Sequence, residues 1–189
     1  MNLVAPSLER LGAYADALKR GFWSNNLRRE ESRREELEKI DADPVAFVAS
    51  LDDREAKGGP IVMPDGSQVA RLPGFRCWMW EDGADGGFCG QIGFRWQKGT
   101  EALPPHCLGH IGYAVVPWKQ KRGHATRALA LMLGEARREG LRWVELTTAP
   151  DNEGSQKVIT NNGGVFVERF HTVAGYGGKE EFRWRIKLD

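Results

Sequence analysis

The chain has 189 residues and a mass of 21.2 kDa, the size of one ordinary domain. Its 27 basic and 26 acidic side chains leave a formal net charge of +1, so no global field attracts nucleic acid or a membrane surface. Hydrophobic residues make up 41% of the chain, enough apolar surface for a buried core, which excludes a disordered or disulfide-dependent scaffold.

The sequence also predicts a compartment. The first ten residues, MNLVAPSLER, lack the basic and apolar regions of a secretory signal. The longest apolar run, Ala128 to Leu133, is far shorter than the roughly 18 residues of a membrane span. Three cysteines without a CxxC pair suit a reducing compartment. We therefore expect a cytoplasmic protein with no membrane or nucleic-acid partner.

Residues 1–57 predict a short strand, Asn2 to Ala5, followed by helices. Apolar residues at helical spacing begin at Leu8, and Gly21 closes this first helix. From Arg28 to Lys39, five basic and five acidic side chains cancel, which favours a solvated helix face without a function of its own. Lys57 to Gly74 is rich in Gly and Pro and predicts an irregular connection.

The rest of the chain alternates strands with helices. Two alternating apolar runs between Arg76 and Trp96, joined by a Gly/Asp-rich turn, predict a β-hairpin. A strand, an amphipathic helix and a second strand then predict a βαβ unit with parallel strands, and a short helix and a last hairpin follow. These elements are Leu108–Val116, Gly123–Glu139, Leu141–Thr148, Asn152–Asn161, and Val165–Phe170 with Glu181–Leu188. The fold class is α/β, with a mixed sheet of about six to seven strands flanked by helices.

The junction between the strand ending near Pro117 and the next helix carries an anion-binding pattern. It reads PWKQKRGHATRA, which places basic side chains and no acidic one around a helix start. Free N–H groups and the helix dipole favour an anion there, and Gly123 allows close approach to the backbone. The pattern predicts a phosphate or pyrophosphate ligand, with a basic helix cap as the alternative. It matches neither the P-loop nor the dinucleotide-binding fingerprint.

At this junction the chain resembles the GNAT superfamily of acyl-CoA N-acyltransferases. The family's pyrophosphate loop, [QR]-x-x-G-x-[GA], is matched by Gln120, Gly123 and Ala125. After the next strand, Asn152, a short helix and Gly163-Gly164 stand in the family's order. The motifs around Gly109–Tyr113 and Asn152–Gly164 are similar to a subgroup of predicted bacterial acetyltransferases.

The resemblance implies a sheet in which the strands at Leu108–Val116 and Leu141–Thr148 splay apart to admit acetyl-CoA. Residues 108–170 would then be the acyl-CoA-binding core of one acyltransferase domain spanning 1–189. Pantetheine would pair with backbone near Val115 and Val116, and Trp118 could cover the cofactor. The residues implied in cofactor binding are Val115, Val116, Gln120, Lys121, Arg122, Gly123, His124, Ala125, Thr126, Asn152 and Ser155.

An amine acceptor must lose a proton before it attacks the thioester. Glu145 and His110 are the candidate catalytic bases, followed by Glu101. If Glu145 faces the cleft, partial desolvation would raise its pKa; if it does not, it is an ordinary strand carboxylate. Many family members place a Tyr as general acid where this chain has Ile159, so the thiolate's proton could come from water, Ser155 or Tyr113.

No metal is expected. His106 and His110 lie in an extended segment, which puts their imidazoles roughly 13 Å apart, too far for one zinc ion.

The predicted function is transfer of an acetyl group from acetyl-CoA to a small-molecule or peptide amine by direct attack. The alternatives are a catalytically inactive CoA-binding module and a nucleotide- or phosphate-binding regulator. Acceptor specificity would come from the N-terminal helices and the loops at Lys57–Gly74 and Ala174–Lys179. An exposed strand edge is compatible with a homodimer.

Overall fold

The computed structural model describes residues 1–25, 28–63, 65–83 and 86–188. Its helices are α1 (Leu8–Lys19), α2 (Arg29–Ala42), α3 (Pro44–Ala49), α4 (His124–Arg138) and α5 (Glu153–Thr160). Its strands are β1 (Asn2–Val4), β2 (Asp52–Asp53), β3 (Ile61–Val62), β4 (Gln68–Val69), β5 (Gly74–Glu81), β6 (Gly87–Arg95), β7 (Ile111–Val115), β8 (Trp143–Thr148), β9 (Val165–His171) and β10 (Glu180–Lys187). In the described ranges, no helix combines the length and apolarity needed to cross a bilayer.

The strands form two main antiparallel sheets. One has the order β1-β5-β6-β7, with β2 also pairing with β5, and the other has the order β8-β10-β9. Both predicted hairpins are confirmed, as β5 with β6 and as β9 with β10. Residues 84 and 85 in the turn of the first hairpin lie outside the described residues. The predicted irregular connection contains one element that the Gly/Pro pattern concealed, the small hairpin of β3 and β4.

The two sheets meet where β7 approaches β8. The His110 N–H donates to the Glu145 carbonyl at 2.7 Å, and the Glu145 N–H donates to Nδ1 of His110 at 2.9 Å. Beyond this point β7 pairs with β6, whereas β8 pairs with β10, so the two strands diverge. The approach is so close that a Cβ at position 109 would lie 3.0 Å from the Glu145 carbonyl oxygen, which explains Gly109.

The α/β fold with a splayed strand pair is therefore confirmed, and the splay divides the sheet in two. The strand expected from Leu108 begins instead at Ile111. His110 gives its N–H to β8 and not to β6, so regular pairing with β6 starts one residue later.

Helix α4 packs across both sheets and keeps them together. Its buried apolar side, including Leu129 and Met132, shares one core cluster with Ile92 of the first sheet and with Leu146 and Trp184 of the second. Each such side chain contributes about 1.5–3 kcal/mol by leaving water. The gap between β7 and β8 therefore interrupts backbone hydrogen bonding without opening the apolar core.

A second core lies on the opposite face of the first sheet, under α1. The Tyr14 ring stacks on Trp78 with centroids 5.1 Å apart, and both side chains are fully buried. The Tyr14 hydroxyl donates to Glu36 of α2 at 2.6 Å, and Arg76 of β5 donates to the same carboxylate at 2.9 Å. Helix α2, expected to be a solvated charged face, thus also contributes a buried carboxylate that anchors it to the sheet.

Candidate cofactor and acceptor site

The predicted anion-binding loop is an exposed helix start. Gln120, Lys121, Arg122 and Gly123 are exposed, and Gly123 has φ +79° immediately before α4. Its carbonyl accepts the first helical hydrogen bond, from the Arg127 N–H at 3.0 Å. The amides of residues 124–126 therefore have no carbonyl one turn earlier in the helix to bind, and they remain available for an anion.

Two basic side chains near this loop point away from it. Lys119 is buried, and its Nζ lies 3.2 Å from Oε2 of Glu81, 3.1 Å from the Gly86 carbonyl and 3.5 Å from Sγ of Cys89. The His124 side chain is also buried, with Nε2 3.7 Å from Oε1 of Glu81. The predicted contribution of His124 is therefore limited to its backbone N–H. Lys119 is an internal anchor neutralised by Glu81, and this cluster is built around the Lys119 ammonium.

The edge of β7 decides which backbone groups can meet a ligand in the gap. Arg95 donates its N–H to the His110 carbonyl, and Val116 donates its N–H to the Cys89 carbonyl, so even-numbered residues direct their backbone groups toward β6. The Val116 carbonyl also accepts from the Lys119 N–H at 3.0 Å. Both backbone groups of Val116, which we expected near pantetheine, are therefore engaged within the protein. By the same alternation, Tyr113 and Val115 direct their backbone groups into the gap, where the Val115 carbonyl accepts a hydrogen bond from Nε2 of the exposed Gln120 at 3.3 Å.

Helix α5 faces β7 across the gap through a pair of hydroxyls. The Ser155 hydroxyl donates to the Tyr113 hydroxyl at 3.1 Å, and burial raises the pKa of Tyr113 to about 12. Asn152 caps α5 by accepting the Ser155 N–H at 3.0 Å, and it is exposed. Ile159, in the position where the resemblance led us to look for a general acid, is only 1% exposed and belongs to the core. The structure thus brings together two of the proton sources considered from the sequence.

Glu145 faces the side of the sheet opposite α4, which is the orientation that a catalytic role would need. Both oxygens of its carboxylate, however, are bound by arginines. Arg185 contacts its Oε1 through Nη2 at 2.7 Å and Nε at 3.2 Å, and Arg183 contacts Oε2 at 3.2 Å. Arg183 also binds Glu168 at 2.8 Å. The two guanidinium groups stabilise the carboxylate anion and occupy both of its oxygens. This arrangement opposes a role for Glu145 as a base.

The remaining base candidates occupy structural positions. His110 is fully buried, its Nδ1 accepts the Glu145 N–H, and burial lowers its pKa from 6.5 to about 4. It is a neutral group that fixes the point where the strands separate, and its accepting nitrogen is already used. Glu101 pairs with Arg142 at 2.7 Å, which holds the pKa of this carboxyl at about 2.

Sequence reasoning missed Glu181. It alternates with Arg183 and Arg185 along β10, so it lies on the same side of the sheet as Glu145, near the end of β8. Burial raises the pKa of its carboxyl, and the nearby Asp151 raises it further, against the opposing effect of Lys179. No local motif signals this residue; only the strand pairing reveals it.

Comparisons with known proteins identify the family and the fold. The family model of the acetyltransferase (GNAT) domain matches residues 33–165. Among curated proteins, none matches the chain in sequence at a significant level.

Several solved structures share the fold at low sequence identity. A variant of spermidine N-acetyltransferase from Vibrio cholerae is 14% identical, with TM-score 0.57 and coverage of 100% of this chain and 95% of that one. RimL, a ribosomal-protein α-N-acetyltransferase in complex with coenzyme A, is 16% identical, with TM-score 0.58 and coverage of 99% and 93%. The self-immunity acetyltransferase MccE, in complex with acetyl-CoA and AMP, is 11% identical, with TM-score 0.55 and coverage of 98% and 91%. The family model spans more than half of the chain, and the chain belongs to the GNAT acetyltransferase family.

Proposed function

We propose that the protein is a cytoplasmic N-acetyltransferase that moves an acetyl group from acetyl-CoA to an amine, with residues 1–189 acting as one acyltransferase domain. The observation that carries this proposal is the combination of a strand gap with an exposed helix start at its end. A linear cofactor with a pyrophosphate needs both features: a free strand edge for its amide-containing arm and free helical N–H groups for its anion.

The residues that would hold acetyl-CoA follow from this geometry. The amides of residues 124–126 would bind the pyrophosphate, because no helical carbonyl accepts them. The side chains of Lys121 and Arg122 would join them, because both are exposed and neither forms an ion pair within the described ranges. The backbone groups of Tyr113 and Val115 would pair with the pantetheine arm along the edge of β7. Asn152 and Ser155 would contact the same arm from α5.

The reaction is a direct transfer. The neutral amine nitrogen attacks the thioester carbonyl carbon, the new C–N bond forms, and the C–S bond breaks to release the CoA thiolate. The Tyr113 hydroxyl, whose pKa is raised to about 12, keeps its proton and donates it to the Ser155 carbonyl in a long hydrogen bond of 3.4 Å. Turned toward the CoA sulfur, the same O–H would donate to the departing thiolate. The thiolate takes its proton from solvent, since a thiol has an ordinary pKa near 8.5.

The proton lost by the amine needs an acceptor, and Glu181 is our choice. Its carboxyl has a raised pKa and lies on the same side of the sheet as Glu145, whose two oxygens are occupied by arginines. A raised pKa brings a carboxylate closer to the basicity that general-base catalysis requires. In a pH–rate comparison, Glu181→Gln should lower kcat more than Glu145→Gln does. The reverse order would assign proton removal to Glu145.

A second candidate function, acyl-CoA binding without catalysis, is favoured by one observation: the buried Ile159 supplies no hydroxyl where many family members have one. Release of free thiol from acetyl-CoA in the presence of an amine would eliminate it.

The deciding experiment compares thermal unfolding with acetyl-CoA, CoA and ATP. A ligand at a hundred times its Kd adds about 2.7 kcal/mol, which raises the midpoint by roughly 5 to 11 °C for a chain of this size. We expect this shift with both CoA species and none with ATP. A shift with ATP alone would refute the proposal and favour a nucleotide-binding regulator.

A further inference from the structure

Arg95 holds an unusual position at the narrow end of the gap. It ends β6, and its backbone N–H donates to the carbonyl of His110, the residue at which β7 and β8 separate. Its exposed side chain lies across β7, so that a Cβ at position 112 would lie 3.4 Å from its Nη2. Gly112 therefore leaves the room that the guanidinium occupies, beside the edge of β7 along which we place the pantetheine arm.

Several carboxylates near Arg95 are paired with other arginines, whereas Arg95 is not paired with a carboxylate in the described part of the chain. On this side of the two sheets, Glu145 is bound by Arg183 and Arg185, and Glu168 is bound by Arg183. Farther from the gap, the Glu36 carboxylate is bound by Arg76, Tyr14 and Ser24. Within the described ranges, Arg95 itself has no carboxylate within ion-pair distance. Beside the start of β7, the charge left to meet an acceptor is therefore that of the Arg95 guanidinium, while the Glu181 carboxylate lies farther along, near the end of β8.

Two loops enclose this region. The Tyr176 hydroxyl donates to the His106 carbonyl at 2.9 Å, which ties the loop between β9 and β10 beneath the start of β7. The same loop touches the β3–β4 hairpin, where a Cβ on Gly175 would lie 3.3 Å from Cε of Met63 and 3.0 Å from Oδ2 of Asp65. The two loops from which, together with the N-terminal helices, we expected acceptor specificity thus meet at one place. Arg95 is near enough to this wall for its charge to act on Tyr176.

We propose that Arg95 is the anion-binding group of the acceptor site, and that the acceptor is a small amine carrying a carboxylate a few bonds from its nitrogen, as in an amino acid. This inference rests on the proposed acetyl transfer. A guanidinium binds a carboxylate through two parallel N–H···O bonds, which would orient the amine toward the gap. An acceptor with several positive charges and no carboxylate would bring like charge toward Arg95 and offer its guanidinium no anion to bind.

The test uses matched acceptors that differ only at the carboxylate. Initial rates of thiol release from acetyl-CoA are measured with a set of α-amino acids and with their amides, and spermidine serves as a polycation. The wild-type protein should prefer the acids in kcat/KM by about 10- to 100-fold, the range expected for a hydrogen-bonded charge pair. The preference should fall below about threefold in Arg95→Gln and persist in part in Arg95→Lys, which keeps the charge without the bidentate geometry.

Arg138→Gln is the matched control. It removes one positive charge from the exposed ion pair with Glu135 at the C-terminal end of α4, so the net charge changes equally while the acceptor region keeps its side chains. A preference for acids that survives in Arg95→Gln, or equal rates with acids and amides in the wild type, would overturn the proposal.

A binding measurement separates the failure of this inference from failure of the proposed function. Absence of a thermal shift with acetyl-CoA or CoA would refute acetyl transfer itself. If CoA stabilises the protein but no amino acid is acetylated, and none binds the CoA complex more tightly than its amide in calorimetric titration, the inference about Arg95 is wrong while the cofactor site stands.

Discussion

Replacing Lys119 with methionine should destabilise the protein before it affects cofactor affinity. The Lys119 ammonium is enclosed by the Glu81 carboxylate, the Gly86 carbonyl and the Cys89 thiol, and its side chain is only 11% exposed. Methionine keeps the length and apolar body of the side chain but removes the charge and the donors. The hydrogen-bond acceptors that surrounded Nζ then lose their partner.

The magnitude follows from the burial of the two partners. Breaking a fully buried ion pair from one side costs about 3–5 kcal/mol. Glu81 is 31% exposed, so water can replace part of the lost interaction, and we expect about 2 kcal/mol, within the range for hydrogen bonds to charged groups. For a domain of 150–250 residues this lowers the unfolding midpoint by about 4 to 8 °C.

The assay compares Lys119→Met with Lys121→Met by thermal unfolding and by CoA titration. Lys121 is exposed in the loop, so its variant should keep the wild-type midpoint and lose CoA affinity. The pKa of Glu81 is lowered from 4.5, chiefly by its hydrogen bond with Lys119. The stabilisation by the Lys119–Glu81 pair is therefore complete above pH 4.5 and is lost as the pH falls through the lowered pKa of Glu81. The unfolding midpoints of Lys119→Met and of the wild type should then converge in acid. An unchanged midpoint for Lys119→Met, together with lost CoA affinity, would refute the anchor and restore Lys119 as a phosphate ligand.

Further substitutions test other parts of the site. Gly123→Glu should abolish CoA binding, because it places a negative charge against the pyrophosphate at a backbone φ of +79°, whereas Gly123→Ala should cost only about 1 kcal/mol of stability; equal CoA affinity in both variants would contradict the loop assignment. The pKa of His110 is lowered from 6.5 to about 4, because burial favours the neutral imidazole. The wild type should therefore lose about 3 kcal/mol of unfolding free energy between pH 6.5 and pH 4, relative to His110→Asn. If the unfolding free energies of the two proteins, measured in urea, changed in parallel with pH, burial would not lower this pKa. Tyr113→Phe should lower kcat about 10-fold with little change in the Kd of CoA, measured by single-turnover kinetics, and a loss confined to Kd would make Tyr113 a binding residue only.

Local patterns were sufficient for most of the longer elements and for the exposed helix start at Gly123. The helix that begins at His124, the glycine before it and the two hairpins each depend on residues close together in the chain, where periodicity and turn chemistry act. The direction of the β7 edge was not accessible, because it depends on which alternate residues pair with β6. A shift of one residue exchanges the roles of Val115 and Val116.

Charge was the property that sequence reasoning judged least well. The loop seemed uniformly basic, yet Lys119 is neutralised by Glu81, 38 residues earlier in the chain. Glu145 seemed a free strand carboxylate, yet its arginines lie opposite on β10, about 40 residues later. Ion-pair partners are set by tertiary contacts, so a count of charges within a short stretch of sequence cannot identify them.

The alternation along β7 also divides its amides by how fast their protons exchange with solvent. The N–H groups of Gly112, Ala114 and Val116 are engaged with β6, while those of Tyr113 and Val115 point into the gap. In deuterated water the unliganded protein should therefore show slow and fast exchange at successive residues of one strand. A cofactor arm that pairs with this edge would slow Tyr113 and Val115 and leave their neighbours unchanged, so five consecutive amides record whether the gap is filled.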